Sequence, residues 1–169
     1  PREWVEEVPS EVAHGRALWG RGIAAASLSE PGQSALSARL FTGGLPTVLG
    51  FDGLRAQSFT LLGLDAYLQR FGGDSEARRI REQLADRLFD AFSRSTSDTW
   101  PWPEEQVTYA RGKLPHALLV TGRALEHDEM TERGLEVLGF LMDNQRAAEG
   151  HFAPIGQEGW LSRDGRRAR

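Results

Sequence analysis

Residues 54–71 read LRAQSFTLLGLDAYLQRF. Phe59, Leu61, Leu62, Leu64, Tyr67, Leu68 and Phe71 put apolar side chains around most of a helix, without the period-two alternation of a half-buried strand. A helix apolar on most sides is a buried one, so other helices must be packed against it. Asp52 or Gly53 opens it, and Gly72 and Gly73 close it. The next segment, EARRIREQLADRLFDAF (76–92), differs in kind. It carries a single stripe, Ile80, Leu84, Leu88, Phe89 and Phe92, opposite a charged face. That pattern predicts an outer helix, capped by Asp74 or Ser75.

The same alternation extends both ways. SEVAHGRALWGRGIAAASL (10–28) places Val12, Leu18, Trp19 and Ile23 near helical spacing behind a Ser10 cap. PGQSALSARLFTGGLP (31–46) starts on a proline at a tolerated first-turn position and ends at Gly43, Gly44 and Pro46. KLPHALLVTGRALE (113–126) predicts a fifth helix, and EMTERGLEVLGFLMDNQR (129–146) a sixth with one apolar stripe. Buried and amphipathic helices therefore take turns. The expected fold is all-α: an array of about three αα-hairpins whose first helices line an inner ring, a partial (α/α) toroid. Gly22, Gly63 and Gly122 recur in the three inner helices and are expected to let them pack closely. Residues 1–162 read as one helical domain and residues 163–169 as a basic tail.

Composition narrows the function. Apolar residues make up 40% of the 169 and charged residues 26%, enough for one core in a globular domain. A net charge of -4 argues against a general nucleic-acid binder, which needs a basic field. The absence of cysteine removes disulfides, thiolate metal sites and cysteine nucleophiles. It also fits a reducing compartment, so a cytoplasmic location is expected. No apolar run approaches the roughly 18 residues of a membrane span. The four histidines show no metal-binding spacing, and neither a phosphate-binding glycine loop nor a GxSxG elbow is present. No metal and no cofactor are therefore expected. The chain opens on Pro1 and closes in a charged stretch, so it is expected to be a piece of a longer polypeptide.

The strongest chemical signal is SDTWPWPEEQVTYARGKLPHALL (97–119). Trp100, Trp102, Glu104, Glu105 and Tyr109 fall within ten residues of a proline-stiffened loop. Open tryptophan faces stack on the C–H faces of sugars, and carboxylates accept hydrogen bonds from hydroxyls. Glu104 and Glu105 are adjacent and point different ways, so glycoside hydrolysis would need a second carboxylate from elsewhere. The competing reading is that Trp100 and Trp102 plug the end of the helical array while the glutamates face water. EGHFAPIGQEGW (149–160) is a second candidate loop, with His151, Gln157, Glu158 and Trp160. Both loops follow outer helices and lead back inward, so hairpin topology puts them on one face. Arg16, Arg55 and Arg111 either form a cationic rim or pair with Asp52, Asp65 and the glutamates.

HGRALWGRG, LLGLDAYL, WPWPEEQVTYARGKLPHALL and GHFAPIGQEGW together resemble bacterial (α/α)-toroid domains of the six-hairpin glycosidase type. The nearest likeness is to the helical region C-terminal to glycosyltransferase domains in polysaccharide-related proteins. The resemblance implies a carbohydrate-linked role, with the inner-helix mouth as the sugar site. If the chain hydrolyses glycosides, Glu104 is the candidate general acid or base, and the candidate sugar-facing set is Trp100, Trp102, Glu105, Tyr109, Arg111, His116, His151 and Trp160. In the family pattern the tyrosine is followed by Asp-Asn, whereas Ala110 and Arg111 follow Tyr109 here. Three hairpins make half a ring, so the other half is expected from the same polypeptide or from self-association. Two non-catalytic readings stand beside the glycosidase-like one: a sugar-binding module, and a helical scaffold for protein or interdomain contacts.

Overall fold

The computed structural model describes residues 10–94, 97 and 99–166. The chain is all-α. Its helices are α1 (Glu11–Ser27), α2 (Pro31–Gly44), α3 (Leu54–Arg70), α4 (Ser75–Arg94), α5 (Lys113–Ala124) and α6 (Asp128–Asn144). A 3-10 turn covers Pro46–Gly50, and two-residue strands β1 (Gln106–Val107) and β2 (Leu161–Ser162) pair antiparallel. Leu84 ends one compact unit and Ala85 begins the next, inside α4. Among the described residues, no helix is long and apolar enough to cross a membrane.

In the first unit the caps are those the sequence announces. Ser10 Oγ accepts from Ala13 N at 3.3 Å, and Pro31 sits in the first turn of α2, where Glu30 receives Gly32 N and Gln33 N. The α1–α2 hairpin is antiparallel: Ser34 Oγ donates to Ala25 O (2.8 Å) near one end, and His14 Nε2 meets Gly44 O (2.9 Å) at the other. α3 runs parallel to α1. Gly15 faces Ala56 and Gly22 faces Gly63, seven residues apart on each helix, so backbone lies against backbone. The two N-termini start together, because the Glu11 carboxylate accepts from Gly53 N at 2.9 Å, where α3 begins. At the far end, Arg70 Nη1 donates to Ala25 O and Leu28 O (both 3.1 Å), satisfying carbonyls at the end of α1.

Tyr67 closes α3. Its ring stacks on Phe41 (4.6 Å) and Phe71 (4.7 Å), and its hydroxyl donates to Asp74 Oδ2 at 3.0 Å. The other Asp74 oxygen caps α4 by accepting from Ala77 N. Burial, with the Asp74 carboxylate beside it, pushes the Tyr67 phenol up to about 12 from an ordinary 10. A raised pKa means that the folded state holds the proton longer. The contribution is complete below pH 10 and is lost as pH rises from 10 toward 12, where the unfolded chain ionises first. Urea midpoints should therefore fall across that window more steeply in the wild-type chain than in Tyr67→Phe. At neutral pH the variant should be about 1–2 kcal/mol less stable, from the lost charge-assisted hydrogen bond. Equal alkaline slopes for the two proteins would exclude this linkage.

In the second unit α5 and α6 form an antiparallel hairpin. A Cβ on Gly122 would meet Thr131 Oγ1 at 2.6 Å, and one on Gly134 would meet Leu119. Gly122 was expected to serve an inner-helix seam with Gly22 and Gly63, but it makes room for α6 instead. The α5 terminus is a Schellman turn, with His127 N on Gly122 O (2.8 Å), Glu126 N on Arg123 O (3.4 Å), and Glu126 at φ 54°. Phe92, Trp102, Val107, Leu114, Leu118, Met130, Val137, Leu141 and Leu161 are among the buried side chains of this unit.

Candidate functional site

The two loops singled out by the sequence do meet, through the β1–β2 ribbon. Gln106 pairs with Ser162 and Val107 with Leu161. Arg163 N donates to Glu105 O (3.0 Å), and the Arg163 guanidinium pairs with the Glu105 carboxylate at 3.1 Å. Arg163, read as the first residue of a basic tail, is thus tied to the loop; residues 167–169 of that tail lie outside the described residues. Arg111 donates to Ile155 O (3.2 Å) and lies 5.9 Å from the Trp160 ring centre. Burial lowers the Arg111 pKa from its ordinary value, and its Nη1 is buried without a partner among the described residues. Trp160 and Ala110 take the left-handed backbone, at φ 53° and 51°. That conformation disfavours side-chain-bearing residues, so strain is concentrated where the loops join.

The tryptophans face inward, which corrects the expectation of two open stacking faces. Trp102 is 0% exposed, sits edge-on to Phe92 (6.1 Å) and donates its indole N–H to Gln106 O at 3.0 Å. It offers no face to a ligand. Glu104 Oε2 lies 3.3 Å from the same indole nitrogen, so the proposed acid or base is engaged with a buried ring. Trp100 is 5% exposed, donates to Glu104 O (2.9 Å) and packs edge-on against Phe140 (5.3 Å). Burial of an indole is favourable when its N–H finds a partner, and here backbone carbonyls of the same loop supply one for each.

The other candidates scatter. Tyr109 and His116 are exposed, and His151 lies in a tight turn after α6, 4.0 Å from Glu149. In the first unit Arg16 lies over the Phe59 ring (5.1 Å) and Arg55 is buried. Among the described residues, no three His, Asp or Glu side chains gather as a cation site.

What the junction does form is a groove of about 540 Å³. The edge of Trp100 and Phe140 make its apolar wall, and Asp143, Asn144, Ser162 and Arg163 give it polar walls. Asn144 Nδ2 donates to Phe140 O at 2.9 Å, which fixes the amide. Asp143 is exposed at the end of α6. The groove thus presents a carboxylate, an amide, a hydroxyl and a guanidinium around an aromatic wall. That set suits a polyhydroxylated ligand, whose hydroxyls both donate and accept. A second groove of about 560 Å³, between Phe89 and Glu129, Glu132, Arg133 and Glu136, suits one less well. Three of its walls are carboxylates, and Phe89 is already edge-on to His127.

No family model, curated protein or solved structure matches the chain. Function must be argued from the groove itself.

Phe140, Asp143 and Asn144 were not singled out by the sequence. Polar residues in the last turn of an amphipathic helix are ordinary, and nothing local distinguishes these two. Their sole signal is position: they precede the second candidate loop by a few residues.

Proposed function

We propose that this chain is a carbohydrate-binding helical module, built on part of an (α/α) toroid of the six-hairpin glycosidase type and linked to glycosyl transfer. The observation that carries this reading is the groove, where Trp100 and Phe140 meet Asp143, Asn144, Ser162 and Arg163. The parallel α1–α3 pair, with α1 also opening the α1–α2 hairpin, is the neighbour relation expected of inner helices in such a ring.

Binding is favoured over hydrolysis. Glycoside cleavage takes two carboxyl groups flanking one bond, about 5–9.5 Å apart. Among the described residues Asp143 is the one carboxylate lining the groove, and Glu104 is held by the Trp102 indole. A helical scaffold is the second reading, and the full burial of Trp102 favours it, since a loop built as a plug needs no ligand.

Glycan-array screening followed by calorimetry on the whole chain separates these readings. Asp143→Asn and Asn144→Ala alter exposed or half-exposed groups and should leave the fold intact. Each should weaken oligosaccharide binding about tenfold, the loss of roughly one good hydrogen bond. A folded chain that binds no glycan supports the scaffold. Binding indifferent to both substitutions moves the site elsewhere, and glycoside turnover restores the enzyme reading.

A further inference from the structure

The walls of the Trp100–Phe140 groove differ in charge. Asp143 stands in the last turn of α6, which carries no basic residue. A carboxylate there faces the negative end of the helix dipole, an unfavourable place that a cation relieves. Asp143 is exposed, and its carboxylate makes no hydrogen bond or ion pair among the described residues. Arg146, the nearest cation along the chain, lines a separate hollow with Met142 and Phe152. On another wall of the groove Arg163 is already neutralised, its Nη1 lying 3.1 Å from Glu105 Oε1. Arg166, which follows in the same turn, is paired with Asp164 at 2.8 Å. Asp143 is therefore the uncompensated charge of the groove among the described residues.

We propose that this groove takes a glycan bearing a free amine, its ammonium seated on Asp143 at the C-terminal end of α6. This ligand class rests on the carbohydrate reading and adds a charge to it. A uronate or sulfated sugar would bring its anion against Asp143 and the carbonyl end of the helix, and the Arg163–Glu105 pair has no net charge to offer it. A bare divalent cation needs several oxygen ligands, and among the described residues no three His, Asp or Glu side chains gather to supply them. An ammonium on a sugar ring meets both demands of the groove. It carries only donors and takes the Asp143 carboxylate as counter-ion. Beside it stand Trp100 and Phe140, and aromatic rings attract cations. The hydroxyls of the same sugar find Ser162 and Asn144 Oδ1, which is open because the amide nitrogen of Asn144 is on Phe140 O. Acetylation of the amine would keep the ring and its hydroxyls but remove the charge that Asp143 answers.

Titration calorimetry of the whole chain tests this at about pH 5.5, where amines are protonated and carboxylates ionised. The probes are a chitosan oligomer, its fully N-acetylated counterpart, an oligogalacturonate of the same length, and an oligolysine. The chitosan oligomer should bind about tenfold tighter than each of the others. Its advantage over the acetylated oligomer should shrink as salt is raised, because Asp143 is exposed. Asp143→Asn should remove that advantage, whereas Asn144→Ala should weaken both sugars alike and keep it. A chain that prefers the acetylated or the acidic oligomer binds carbohydrate but overturns the free amine. So does a preference that survives Asp143→Asn. Oligolysine bound as tightly as chitosan overturns the sugar as the source of the amine. A folded chain that binds some other glycan and none of these probes overturns the amine alone; one that binds no glycan at all overturns the carbohydrate reading with it.

Discussion

Trp102→Ala should be the most damaging single substitution in the loop, lowering stability by about 3–5 kcal/mol through the ring's burial alone. The ring is fully buried and packs edge-on to Phe92. Removing it leaves a cavity between α4 and the loop that their backbones cannot fill by small shifts. It also strips a partner from Gln106 O and Glu104 Oε2, which adds about 1 kcal/mol. Typical total stabilities are only about 5–15 kcal/mol, so the second unit should lose its fixed packing near room temperature. Urea denaturation read by near-ultraviolet circular dichroism measures the loss. Trp102→Phe retains most of the ring and loses the N–H, so it should cost roughly half as much. An alanine variant within about 1 kcal/mol of wild type would mean that the ring is not core at all. Because Trp102→Ala unfolds the loop, it cannot report on sugar binding; Asp143→Asn and Asn144→Ala can.

The helices were legible because their signals are local. Ser10, Pro31, Gly72–Gly73 and Asp74 act on the nearest turn of backbone, and α1, α2 and α4 begin, and α3 ends, within two residues of them. The β1–β2 ribbon was not legible, since two residues per strand are too few to show a period. The inward turn of the tryptophans was hidden for a different reason. Proline, tryptophan and glutamate in one loop specify stiffness and aromatic area, but not which side of the loop is wet. That is decided by carbonyls at Glu104 and Gln106 that happen to lie within reach of the two indole N–H groups. The glycines show the same limit. Gly22, Gly63 and Gly122 look alike in sequence, yet the first two answer each other across α1 and α3 and the third answers Thr131 of α6. A small residue announces a close approach without naming the partner. The groove was half legible: hairpin topology brought the two loops together, while Asp143 and Asn144 came from a helix end with nothing to mark it.

Gly22 and Gly20 should respond to alanine with opposite signs, although both lie inside α1 two residues apart. Alanine is the better helix former by about 1 kcal/mol, and at Gly20, exposed with nothing within 4 Å of the new Cβ, little opposes that gain. Gly20→Ala should therefore stabilise by about 0.5–1 kcal/mol. At Gly22 the new methyl would run into the backbone of Gly63, and at Gly63 it would stand 2.8 Å from Leu18 O and 3.0 Å from Trp19 Cα. The obstructing atoms are backbone on both sides, so no rotamer change relieves the clash, and α1 and α3 must separate along the seam. Separation loosens the Trp19–Phe59 stack and lengthens the Arg70 contacts to the end of α1. Overpacking of this kind costs about 1–3 kcal/mol and outweighs the propensity gain where rigid elements meet. Gly22→Ala should thus lower stability by about 2 kcal/mol, and thermal melts of the two variants should move in opposite directions from wild type. The contrast holds sequence, helix and chemistry constant and varies only what lies across from the residue. If Gly22→Ala stabilised the chain as Gly20→Ala does, α1 and α3 would not touch backbone to backbone. The parallel pairing from which the toroid reading draws support would then go with it.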